Sequence, residues 1–500
     1  MSETTKLVLK IFTGAMLLGV LGDELLRTFP WGLNAALWVA AFAVIVLALA
    51  PFRREVLAKG GYWLLVPAAV FSIGLVWRDS LVLKSLNIFA LGIVLSLLIL
   101  RAQGRKVLAA GLLEYGLGSL FAAINAMFSP FLLVFKDMNW KDFKGHQASR
   151  PILAACRGVL FSVPPVLIFG GLLVSADPVF SDIVENTLNI GFVSLFLHLF
   201  FTAFFAWSVS GYLRGIFFGK DAGSLATQVP KFPSLGIAEA SIVLGAVDIL
   251  FLGFVIVQLR YFFGGDGFVQ KTIGMTYAEY ARHGFFELVT VAALVMPMLL
   301  AAHWLLGKDH PRNERIFRAL AGAQILLLFV IMASAWQRMR LYQQEYGMTE
   351  LRLYTTAFMA WLAVVFVWFT LTVLRGNRKP FAFGAMSSGF LLVLSLLILN
   401  PDALIARTNT ARALAERRFD ATYVSSLSAD AVPSLVQALT SAGSKSMGLE
   451  NRRKLSAGIL RDWSPSNDID WRTWSLARAQ AFRAVKENET LLRANLSSKK

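Results

Sequence analysis

Three ionisable residues stand inside or at the edge of long apolar runs, where they could carry proton chemistry. Asp23 ends the first run, His198 lies in the inner part of the run 190–213, and Asp248 sits mid-run in 236–262. A carboxylate and an imidazole near mid-depth of a bilayer have the makings of a proton relay, because such groups are costly there and pair when they can. His198 and Asp248 are the pair that could do this; a buried, neutral, hydrogen-bonded pair or two separately satisfied side chains is the plainer and favoured reading. A second set of residues has binding chemistry. Tyr277, Glu279, Tyr280, Arg282 and Glu287 follow Thr276, whose spacing to Glu279 is that of a capping box, so a helix should start at Tyr277. Glu279, His283 and Glu287 then share one stripe. Downstream, Arg338, Tyr342 and Glu345 share a helix face, Arg340 lies beside them, and Gly347 and Thr349 read as a left-handed C-cap and an N-cap. Arg352 falls one turn into the next helix, and Arg260-Tyr261 closes the run before the first stretch. Arginine forks with tyrosine walls suit an anionic head group or a partner segment. The same residues also serve as interfacial anchors and snorkelling side chains.

Much chemistry is excluded. The sequence has no GxxxxGK[ST], HExxH or GxSxG motif. Its five histidines are scattered, and its single cysteine, Cys156, rules out a disulfide framework and a thiolate metal site. No cofactor and no metal are expected.

The elements that must position these residues are membrane spans. Hydrophobic residues make up 56% of the chain and charged residues 16%, far from soluble proportions. Apolar runs of the required ~20 residues cover 31–50, 61–77, 81–100, 152–175, 190–213, 236–262, 284–306, 316–337, 354–374 and 381–399, and 7–22 is a weaker first span. Lys and Arg crowd the connections 51–60, 101–106, 136–150, 214–231, 308–318 and 375–379, whereas 176–189 carries Asp177, Asp182 and Glu185 and no base. By the positive-inside rule the N-terminus is cytoplasmic and the tyrosine- and arginine-rich tips emerge on the other side. The net charge of +17 is therefore read as loop bias, not as a nucleic-acid surface. The flanks of 107–135 are both basic, which makes that segment interfacial or re-entrant. The expected fold is all-α: a polytopic helical bundle of about eleven spans over 1–399, followed by a small helical extracytoplasmic domain over 400–500. Asn400-Pro401 should start that domain, with further helix starts at Asp420, Ser428 and Asp470.

Several stretches resemble a family of bacterial multi-pass membrane proteins, the domain of unknown function 4173, with family 4153 as its sibling. They are FLGFVIVQLRYFFGG (251–265), TYAEYARHGFFELVTVAAL (276–294), RMRLYQQEYGMTELRLY (338–354), NPDALIARTNTARA (400–413), FDATYVSSLSADAVPSL (419–435) and the aspartate that ends the first span. The resemblance implies an inner-membrane location and no particular activity.

The foremost functional expectation is binding of a lipid head group or a partner membrane protein at the outer rim, in a signalling or scaffolding role. A transferase acting on a lipid-linked substrate, using Asp23, and a proton-coupled transporter, using His198 and Asp248, are the alternatives.

Overall fold

The computed structural model describes residues 1–53, 61–104, 127–143, 192–219, 236–263, 285–306, 311–415, 417–464 and 470–497, with a scatter of residues between 116 and 182. Its architecture is all-helical. Helices α1 (Glu3–Leu26), α2 (Leu33–Leu49), α3 (Leu65–Trp77), α4 (Leu81–Ala102), α5 (Phe192–Phe218), α6 (Ile237–Phe263), α7 (Phe285–Leu305), α8 (Pro311–Tyr346), α9 (Glu350–Thr372) and α10 (Phe381–Leu399) form the apolar bundle. Smaller helices follow: α11 (Pro401–Leu414), α12 (Ala421–Ser425), α13 (Val432–Thr440), α14 (Leu449–Trp463), α15 (Leu476–Glu487) and α16 (Glu489–Ser497). Among the described residues, nine helices are long and apolar enough to cross a membrane. Of the eleven runs expected, 61–77 forms a shorter apolar helix, Tyr62–Trp77. The run 152–175 falls mostly outside the described residues, as do most of 107–135 and the capping box at Thr276. The last residues of the re-entrant candidate are helical and end in a π turn, Leu133–Asp137.

Local chemistry explains the boundaries. Gly347 takes the left-handed conformation (φ 78°) that ends α8, and the Thr349 hydroxyl accepts from the Arg352 N–H to start α9. Asn400 caps α11 with Pro401 at its first turn. Asp420 caps α12. The other two expected starts differ. Asp470 opens only a short 3-10 turn, Trp471–Thr473. Ser428 turns its hydroxyl to Asp402 (2.5 Å), and the helix begins later, at Val432.

Two apolar cores hold the chain. One joins residues of α1–α5 and α10 to Ile405, Leu435, Leu455, Ala481 and Leu492 of the small helices. The other joins α6–α10. Helix α1 lies so close to α5 that a Cβ on Gly19 would come within 2.6 Å of the Thr202 carbonyl oxygen. That is the kind of approach small residues allow where lipid removes the hydrophobic drive between helices.

The described connections sort to two ends. At one end lie residues 27–32, 78–80, 347–349 and the described residues after Leu399. At the other, the Asp142 carboxylate accepts from Ser2 and Thr5, Lys10 lies over Phe52, and Glu314 meets Arg318 and Arg378.

Candidate functional site

The small helices are fastened over their end of the bundle by buried charge. Asp79 receives Lys84 at 2.6 Å and Arg478 at 2.9 Å. Asp430 accepts the N–H groups of Asp79 (2.7 Å) and Ser80 (3.2 Å) and pairs with Arg78 at 3.3 Å. Arg472 reaches Glu24 at 2.9 Å, and the Leu33 N–H donates to the Trp474 carbonyl. Behind this seam Asp402 is 1% exposed. Burial, reinforced by Glu350 and Asp430, pushes its carboxyl up to about 7 despite the Ser428 hydroxyl. Burial also raises Asp430, against the pull of its two N–H donors and Arg78.

Beside the seam, the tip between α8 and α9 is clasped to α11. Asn409 accepts from the Met348 N–H (2.9 Å) and donates back to the Met348 carbonyl (2.7 Å). The Arg412 guanidinium donates to the carbonyls of Gln344 and Glu345, and the Tyr423 hydroxyl accepts from the Glu350 N–H at 2.8 Å. Between the tip and α11–α12 lies a pocket of about 430 Å3 lined by Tyr346, Arg352, Arg418, Phe419, Asp420 and Tyr423, among others. Arg352 is held in place: it stacks over Tyr342 (3.9 Å) and donates to the Gly347 carbonyl at 2.5 Å. Burial, with the nearby charges of Arg417 and Arg352, holds Arg412 below the usual guanidinium range. Arg352 and Arg418 thus line one pocket, with Arg412 and Arg417 close by. An anion entering it would relieve like-charge repulsion and find planar donors between aromatic walls.

The other expected site residues divide. Tyr342 packs on Arg352 and on Tyr346. Glu345 and Arg340 are exposed, Arg340 facing a separate groove with Trp336 and Gln337. Arg338 is not part of the rim surface. It is 9% exposed and donates to the Gln258 side-chain oxygen at 2.9 Å, which Ser334 also reaches at 2.9 Å. In lipid a buried guanidinium takes whatever acceptor the adjacent helix offers. Glu287 is exposed at the start of α7. Tyr277, Glu279, Tyr280 and Arg282 lie outside the described residues, as do the side chains of Arg260 and Tyr261.

The relay pairing is corrected. His198 does not meet Asp248. It stands at the level of the end of α1, its Nδ1 2.5 Å from Asp23, whose other oxygen accepts from Arg27 at 3.1 Å. Helices α1 and α5 pack directly, which brings residues 175 positions apart into contact. Sequence reasoning missed Arg418 and Tyr423 as wall residues and Arg412 beside them. Their signal was there: the run Arg417-Arg418-Phe419-Asp420 sits immediately before a helix start.

The family model described as Domain of unknown function (DUF4153) matches residues 65–438, three-quarters of the chain and all of the pocket wall. The chain belongs to that family. The motifs pointed first to family 4173; the match is to its sibling. The DUF4153 region runs from α3 to α13, so it holds the tip, the pocket and Asp430, while Asp23 and Arg478 stand outside it. No curated protein and no solved structure matches the chain.

Proposed function

We propose that this multi-pass membrane protein binds an anionic lipid head group in the pocket between the α8–α9 tip and α11–α12, in a scaffolding or signalling role. The observation that carries the reading is the convergence of Arg352 and Arg418, with Arg412 beside them, on a pocket walled by Tyr346 and Tyr423. A phosphate ester supplies both the charge and the acceptor geometry that guanidinium forks select. Charge patterning supports placing this end on the extracytoplasmic face of a bacterial inner membrane, with the N-terminus cytoplasmic and residues 400–500 forming an external helical domain.

The test is titration of the detergent-solubilised full chain with short-chain phospholipids. An anionic head group should bind at least about tenfold more tightly than a zwitterionic one, and Arg418→Ala should remove most of that preference, as expected for one charge-assisted contact. Arg418 is exposed, so its loss should leave the fold intact. Equal affinity for both head groups would refute the proposal.

A second reading, a transferase acting on a lipid-linked substrate, draws support from the Asp23–His198 pair, an arrangement suited to general-base work. It predicts that Asp23→Asn abolishes group transfer while head-group binding persists.

A further inference from the structure

Among the described residues, four of the buried polar atoms left without a hydrogen-bond partner lie within the bundle, on α6 and α8. Both carboxylate oxygens of Asp248 and both amide atoms of Gln324 are sealed from solvent and have no hydrogen-bond partner. Gln324 is 0% exposed. An unmet polar atom in such surroundings costs on the order of 1–3 kcal/mol, and more for a charged group, so two adjacent helices carrying four such atoms call for an explanation.

The register of the helices places the two residues together. Helix α6 packs along α8. Near the end of α6, Gln258 meets Ser334 and Arg338 near the end of α8. Successive spans alternate, so α6 and α8, with α7 between them, run in the same direction. Counting back ten residues from Gln258 and from Ser334, about 15 Å at the α-helical rise, gives Asp248 and Gln324 at a common depth. The faces agree as well. Asp248 follows Leu244 by four residues and precedes Phe251 by three, and all three belong to the stripe that continues to Val255. Leu244, Phe251 and Val255 are buried in the core shared with α8. Gln324 lies on the buried stripe of α8 with Ala321, Leu328 and Ile331.

The surroundings carry no competing charge. The nearest charged residues on α8 are Arg318 and Arg338, and on α7 the nearest ionisable residues are Glu287 and His303; the stretches between them are uncharged. On α6 itself the neighbours are Glu239 and Arg260. Among the described residues, no fixed counter-ion faces Asp248. A lone carboxylate at this depth is costly, and what offsets the cost is a mobile positive charge.

We infer that α6 and α8 enclose an exchangeable proton site within the membrane, in which Asp248 carries the proton and the Gln324 amide, unbonded to it in this structure, is the polar group at the same depth that side-chain rotation brings to it. The amide is matched to both states. Once the two side chains meet, its N–H would donate to the carboxylate, and its oxygen would accept from the protonated acid. The site lies apart from the head-group pocket and does not depend on it.

The test uses dicyclohexylcarbodiimide, an apolar reagent that adds to protonated carboxyls inside the bilayer. The full chain is treated over a pH series in sodium and in potassium buffers, and the adduct is located by mass spectrometry. The adduct should form on Asp248, fall as pH rises, be the same in both buffers and vanish in Asp248→Asn. Gln324→Leu, and the volume-matched Gln324→Met, should move the midpoint upward by about one pH unit, because the ionised form loses a donor. Three results would each overturn the inference: no adduct on Asp248 at any pH, suppression by sodium but not potassium, which would make the site one for an alkali cation, or a midpoint unmoved by both Gln324 variants.

Discussion

Buried charge is handled in opposite ways in two parts of this molecule. At the seam under the small helices, Lys84 and Asp79 are almost fully buried yet meet each other and Arg478. Midway along α6, Asp248 is sealed from solvent and meets nothing. Both arrangements are expensive to desolvate. The seam recovers that cost through close opposite charges and is therefore structural. The mid-bundle pair does not recover it, so its retention points to an occupant that comes and goes.

The contrast is broken most severely at Asp79. Asp79→Ala should strand the buried Lys84, and leave the partly buried Arg478 without its carboxylate, destabilising the chain by about 3–5 kcal/mol, read by denaturant unfolding in detergent. Residues after Leu399 should become open to protease at lower denaturant than the bundle. If Asp79→Ala unfolds like the wild type, the seam contributes nothing. A middle-sized effect concerns pH. The folded carboxyl of Asp402 titrates near 7 against an ordinary value of 3.8, so the folded state holds the extra proton between those values. Stability from this group is fully present below about 4 and is lost as pH rises through 7. Asp430, also raised, adds to the same trend. Protease resistance of the small helices should therefore fall from pH 5 to pH 8, and Asp402→Asn should flatten the fall. The smallest effect sharpens the contrast by its sign. Asp248→Leu should leave unfolding unchanged or raise stability by up to about 1 kcal/mol, because an apolar side chain replaces an unmet charge. A loss as large as that of Asp79→Ala would show that Asp248 has a fixed partner.

What the sequence disclosed follows the range of the forces involved. Spans, the turn at Gly347, the cap at Thr349 and the start at Asn400-Pro401 are written within a few residues of where they act. The sorting of connections to two ends was also legible, because Lys and Arg distribution is a property of each loop alone. Pairing across the fold was not legible. Lys84 is a lone base at the start of the run 81–100, and nothing near it announces Arg478, 399 positions from Asp79. His198 was set against Asp248, and only the contact of α1 with α5 showed that Asp23 is the carboxylate it meets. Arg338 had the spacing of a rim residue, but the face it occupies is the one α6 covers. The pocket combines a tip read correctly from Gly347 and Thr349 with a wall, Asn409 and Arg418 to Val424, that only the docking of α11 and α12 brings to it.

The head-group proposal and the sense in which the bundle is mounted stand on the pocket end facing away from the cytoplasm. Single cysteines in a Cys156→Ser background test this directly: Lys445→Cys beside the pocket end and Asn377→Cys in the connection at the opposite end, both exposed. In intact cells a membrane-impermeant thiol reagent should label residue 445 at once and residue 377 only after the membrane is opened. Labelling of 377 alone in intact cells would contradict the account.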